Sequence, residues 1–271
     1  MARIISLIFS VILISCASTK RTDEEVLSVT MKNNLYSSQD QFENILKTND
    51  PIFLTLKKNT CINNWGKEVF ALKRKLRTIK KISEKVDVWF KLGNCYNYVK
   101  DTERVIYYYD LVQGAGTRDT KLLSIIYFNM GQIYELNGQH SLAYSYYENS
   151  YKNDDPSSLS LFKLAILELK QREFRLSIKY LNILHKRYPK SNLVNFLIGV
   201  NYFHLNEKSA VINKVLPRLD EKSVSKVLMA MALDLNEDKK KKSLEADLSN
   251  LDVVFSMHQE FKQYLLGRLG K

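Results

Sequence analysis

Residues 122–156, LLSIIYFNMGQIYELNGQHSLAYSYYENSYKNDDP, constrain the fold of this chain more than any other stretch. Tyr127, Met130, Gly131 and Tyr134 recur at helical spacing, and Gly138 interrupts the pattern. Ala143, Tyr147 and Ser150 then mark a second face, which Asp155 and Pro156 end. The spacing predicts two helices joined by a tight turn. Helices joined this tightly approach closely only where a side chain is missing, so Gly131 and Ala143 mark the crossing and the aromatic residues fill the wedge beside it.

The pattern recurs on both sides. Upstream stand Trp89, Leu92, Gly93, Tyr96 and Tyr109, with Val105 and Val112 where smaller residues are expected. Downstream stand Leu161, Leu164, Ala165, Ser177, Leu181 and Pro189, with Glu168 replacing an aromatic, and then a weaker set of Ile198, Gly199 and Tyr202. The anchors Trp89, Tyr127, Leu161 and Asn195 lie 38, 34 and 34 residues apart, and the loop around Gly114–Gly116 accommodates the longer interval. These residues resemble the tetratricopeptide repeat, a two-helix unit of roughly 34 residues, with Pro156 one position out of register. The resemblance implies an all-α solenoid in which each hairpin buries its apolar face on the next. The repeats are expected over 85–217, with irregular N-terminal helices over 39–84 and a C-terminal helical cap over 218–271. Asp155 is the expected cap of the third hairpin with Pro156 at its first helical position, and Ser191 the expected cap of the fourth.

Residues 1–15 read as an export signal: Arg3, then an apolar run from Ile4 to Ile14 that is too short to span a bilayer. The sequence LISC resembles the bacterial lipobox, which implies that Cys16 is acylated and followed by a polar tether over 16–38. Ala17 after the cysteine implies an outer-membrane anchor facing the periplasm. The chain is basic, with 41 Lys and Arg against 29 Asp and Glu, but export argues against a nucleic-acid partner. Cys61 and Cys95 are open to two readings, a disulfide in an oxidising compartment or two buried thiols, and two cysteines without CxxC spacing make no metal site.

Phe42, Ile45, Leu46, Ile52, Phe53, Leu54 and Leu56 suggest two short helices. A helix over 65–82 buries Val69, Leu72, Leu76 and Ile79 and presents Lys67, Lys73, Arg74, Lys75, Arg77, Lys80 and Lys81. Those bases form either a solvated face or a contact with anionic lipid or an acidic partner. Toward the C-terminus, Lys239–Lys242 reads as a solvated loop, and 243–269 as helices closing the array, with Lys262 and Arg268 on a polar outer face.

No catalytic constellation is present. His140, His185, His204 and His258 are scattered, and no GxSxG, HExxH or phosphate-binding loop occurs. The reading is therefore a non-enzyme with no cofactor and no metal. The resemblance instead implies a groove along the first helices. Its position 5 carries Phe90, Phe128, Phe162 and Phe196; position 9 carries Asn94, Gln132, Ile166 and Val200; position 12 carries Asn97, Glu135, Leu169 and Phe203. Two readings stand side by side: a groove for an extended or helical peptide, or phenylalanines that merely pack. Phe at position 5 argues against the family's carboxylate clamp. The tyrosines of the second helices, Tyr107, Tyr108, Tyr109, Tyr144, Tyr146, Tyr147 and Tyr180, are expected in the core and in packing between repeats rather than in a cofactor box.

The function expected is a lipid-anchored scaffold of a bacterial cell envelope that binds a protein or peptide, such as an assembly factor for outer-membrane, pilus or secretion machinery. A second copy of the chain is a further possible partner. The alternatives are a basic protein holding an acidic polymer or anionic membrane surface, and an accessory domain of an envelope enzyme.

Overall fold

The computed structural model describes residues 61–153, 158–221, 223–236, 241–251, 253 and 256–269. The leader, Cys16, the tether, the helices expected over 39–60, Asp155, Pro156, Lys239 and Lys240 lie outside the described residues. Helices α1 (Cys61–Thr78), α2 (Ile82–Tyr98), α3 (Thr102–Gly114), α4 (Thr120–Leu136), α5 (His140–Lys152), α6 (Leu159–Lys170), α7 (Phe174–Arg187) and α8 (Asn192–His204) follow in order. An irregular helical stretch over 208–218 comes next. After it stand α9 (Val224–Asn236), α10 (Lys241–Asn250) and α11 (Ser256–Leu269), and no strand occurs among the described residues. The helices belong to two compact units, Gln39–Asp220 and a second that includes Glu221–Lys271.

Within the first unit the helices pair as hairpins, α2 with α3, α4 with α5, α6 with α7 and α8 with 208–218. Each hairpin also packs on the next, through α3 and α4, α5 and α6, and α7 and α8, while α1 packs on α2. This is a helical-hairpin solenoid.

Every hairpin turns in the same way. Eleven residues after the anchors stand Lys100, Gly138, Arg172 and Asn206, at φ 58, 73, 65 and 59°. The next amide in each turn, that of Asp101, Gln139, Glu173 or Glu207, donates back to the carbonyl of Tyr96, Tyr134, Glu168 or Tyr202 at 2.8–3.0 Å. That is the left-handed helix stop, which satisfies carbonyls that the helix leaves open. Only one of the four turns uses the residue best suited to it, Gly138.

Close packing at the crossing explains the small residues. A Cβ built on Gly93 would lie 2.5 Å from the ring of Tyr109, and one on Gly131 would lie 2.6 Å from the ring of Tyr147. Both rings are wholly buried, so neither can swing aside.

Several boundaries differ from the sequence reading. The helix expected over 65–82 is broken: α1 stops at Thr78, whose hydroxyl donates to the Lys75 carbonyl at 2.8 Å, and Ile79 turns onto the core before α2 opens at Ile82. Helix α6 starts at Leu159, behind Ser158. Ser191 does cap α8, accepting from the Val194 amide at 3.2 Å, and Asp101 and Asp119 cap α3 and α4 in the same way. The stretch over 208–218 widens to a π turn at Val211–Val215 and ends at Leu216–Arg218, where Pro217 has no amide hydrogen to continue a helix. Cys61 and Cys95 are joined as a disulfide, with Cα atoms 5.6 Å apart, which ties α1 to α2. The Trp65 indole donates to the Cys95 carbonyl at 3.0 Å beside it.

In the second unit α9, α10 and α11 pack on one another around Leu228, Leu248, Phe261 and Leu265. Lys262 does not serve an outer face. It is buried, and its ammonium donates to the carbonyls of Ser249 and Leu251 at 3.2 and 2.7 Å, closing the C-terminal end of α10 where a cation is favoured. His258 is also buried, with Nε2 2.9 Å from the Ser225 hydroxyl, and burial pushes its pKa down to about 4.

Three predictions rest on this packing. An exposed helical Gly→Ala change stabilises by up to about 1 kcal/mol, so Gly66→Ala, whose Cβ meets nothing within 4 Å, should raise the urea midpoint. Gly131→Ala should instead lower stability by about 1–3 kcal/mol, because the buried ring must be displaced. For His258, the unfolded group takes its proton near 6.5 and the folded one only near 4, so acid favours the unfolded state between these values. Hydrogen exchange of α9–α11 should show stability that is flat above pH 7 and falls by roughly 2–3 kcal/mol on acidification to pH 4, a loss that His258→Gln should largely remove.

Candidate functional site

The residues expected to line the groove divide sharply by exposure. At position 5, Phe128, Phe162 and Phe196 are buried, 4%, 6% and 0% exposed, and Phe128 packs on Tyr147 with ring centroids 5.5 Å apart. Phe90 is half-buried and lies on Tyr109 at 6.2 Å. At position 9, Asn94 and Val200 are buried, while Gln132 and Ile166 are half-buried. Asn97, Glu135 and Leu169 at position 12 are half-buried, and Phe203 is buried. Packing therefore takes most of the aromatic row, and the polar residues near the C-terminal ends of α2 and α4 are left at the surface.

Tyrosines of the second helices organise that polar edge. The Tyr109 hydroxyl donates to the Asn94 carbonyl oxygen at 2.6 Å and accepts from the amide of Asn129 on the next hairpin at 2.9 Å. The Tyr147 hydroxyl donates to Glu135 at 2.6 Å, and Lys163 of the next hairpin reaches the same carboxylate at 2.9 Å. Both tyrosines occupy the same repeat position, and so do Asn129 and Lys163. Partial burial opposes ionisation of Glu135, but the Tyr147 hydroxyl and Lys163 outweigh it and hold the carboxyl below its ordinary value. A third seam uses Ser177, which accepts from the Asn201 amide at 3.1 Å.

Beside these connectors lies a cavity of about 410 Å³ lined by Asn97, Asn129, Gln132, Ile133, Glu135, Leu136, His140, Lys163 and Lys170. The side-chain oxygens of Asn129 and Gln132 are buried there without a hydrogen-bond partner. Since the Asn129 amide is committed to Tyr109, its oxygen is an acceptor awaiting a donor. Ile133 and Leu136 add apolar surface, and Lys170 and His140 add exposed polar groups at the rim. Of the residues expected at the groove, Asn97, Gln132 and Glu135 meet here; Phe90 instead lines a separate cavity of about 590 Å³ with Ile82, Val86 and Leu122. Asn129, Ile133, His140, Lys163 and Lys170 escape the sequence reading. The signal for Asn129 and Lys163 was their shared repeat position, which is not among the positions expected to face inward.

The protein-family model of the tetratricopeptide repeat matches residues 159–191, the span of α6, α7 and the turn after them. The chain carries a tetratricopeptide repeat. Neither a curated protein nor a solved structure matches the chain. Tetratricopeptide repeats are protein-interaction scaffolds, typically without catalytic activity of their own. The matched repeat is the one with Ala165, Ser177 and Leu181 at the crossing and Pro189 at its end.

The connector between the second and third hairpins is open to test. Tyr147→Phe keeps the ring against Gly131 and removes the donor to Glu135, which should lower stability by about 1–2 kcal/mol near neutral pH. The carboxyl is held below its ordinary value, so this contribution is present at neutral pH and lost in acid. The difference between variant and parent, read from urea unfolding, should shrink as Glu135 is protonated.

Proposed function

We propose that this chain is a lipid-anchored scaffold of a bacterial cell envelope that holds a protein or peptide segment along α4 and α6. The observation that carries the reading is the cavity whose floor presents the unpartnered oxygens of Asn129 and Gln132. A peptide backbone supplies N–H donors to such oxygens, while Ile133 and Leu136 accept apolar side chains and Lys170 and His140 contact polar ones. The family match to the hairpin that carries Lys163 and Lys170 supports a protein partner.

Export and anchoring rest on the apolar leader and the LISC segment ending at Cys16, and the Cys61–Cys95 disulfide supports an oxidising compartment. No helix among the described residues is long and apolar enough to cross a membrane, and this reading rests membrane attachment on the LISC segment. The partner is a component of outer-membrane, pilus or secretion machinery.

The experiment is a crosslinking pull-down from native membranes that compares the parent with Gln132→Ala, Lys170→Ala. Both side chains reach the cavity and neither is fully buried, so the variant should unfold at the parent's temperature. Selective loss of one captured protein is the expected result, and an identical set of captured proteins would overturn the groove. In parallel, labelling with a palmitate analogue should disappear in Cys16→Ser, and persistent labelling would overturn the anchor.

A further inference from the structure

We infer that the outer face of α1 is a docking surface for anionic lipid. Lys67, Phe70, Arg74 and Arg77 recur every three or four residues and so share one side of the helix, opposite Val69 and Leu72, which are buried. Lys75 flanks this stripe, and Lys80 and Lys81 extend it past the helix end at Thr78. All these bases are exposed, and Phe70 is 70% exposed in their midst.

Some bases elsewhere on the array are paired. Lys91, Arg104 and Lys152 each pair with a carboxylate three or four residues away on or beside their own helix. On α1 the one acidic residue is Glu68, half-buried, and among the described residues no carboxylate pairs with Lys67, Arg74, Lys75, Arg77, Lys80 or Lys81. Lys73 stands apart, since its ammonium sits over the Tyr96 ring at 5.6 Å. Among the described residues, this face thus carries positive charge without a carboxylate partner around an aromatic ring.

Head groups of an anionic leaflet supply the missing charge, and the zone just beneath them takes an apolar ring. An acidic soluble polymer would meet the charge but would leave Phe70 in water, which is why lipid fits this face better. The inference stands apart from the groove: α1 contributes no residue to the cavity beside Asn129.

The test uses the full chain carrying Cys16→Ser and Phe70→Cys, with an environment-sensitive fluorophore on the new thiol while Cys61 and Cys95 remain oxidised. It is mixed with vesicles of phosphatidylcholine alone or with about 30% phosphatidylglycerol. The expected result is a blue-shifted, brighter emission only with phosphatidylglycerol, reversed by about 0.5 M NaCl. Adding Arg74→Glu and Arg77→Glu should weaken the apparent affinity at least about tenfold while leaving the helical circular dichroism unchanged. Equal emission with both vesicles would overturn the inference. So would the same shift produced by soluble polyglutamate without vesicles, which would assign the face to an acidic macromolecule instead.

Discussion

The array depends on the contact between a missing side chain and a buried ring. Gly93 receives Tyr109 and Gly131 receives Tyr147, each at a distance where a methyl group would collide with the ring. Close approach of the two helices brings the tyrosine hydroxyl alongside the first helix, where Asn94 or Glu135 accepts it. The same packing choice therefore fixes the hairpin and places a polar atom at the seam with the next one. Dispersion and apolar burial hold each hairpin together, while hydrogen bonds set the register between hairpins.

That arrangement decides what the inner surface has left to offer. Asn94 and Glu135 are spent on tyrosines, and Lys163 is spent on Glu135. Gln132 and the free oxygen of Asn129 are not, and they open onto one cavity. The recognition surface is thus a remainder: it consists of the polar groups that the seams between repeats do not use.

The hairpins were legible in the sequence because their determinants are local. Gly131 beside Tyr134 and Tyr147 reports a close crossing whatever surrounds it, and Ser191 before an apolar run reports a helix start. The left-handed turns were legible at Gly138 and more weakly at Asn206, since Lys100 and Arg172 carry no mark of a positive φ. The direction of the position 5 phenylalanines was not legible either. One residue type serves equally as a groove wall and as core, and only the neighbouring hairpin decides that Phe196 is buried while Phe90 is not. Lys262 misled for a related reason: a cation reads as surface until a helix end with open carbonyls is placed against it.

The hydroxyl of Tyr109 has one last consequence. It is held from two sides by asparagines belonging to different hairpins. A unit cut out and transplanted into another array would leave half of such a joint behind, with a polar atom stranded in the interior of whichever neighbour it abandoned. Moving a hairpin without its neighbour would break that joint, so the junction as well as the hairpin limits how the repeats can be rearranged.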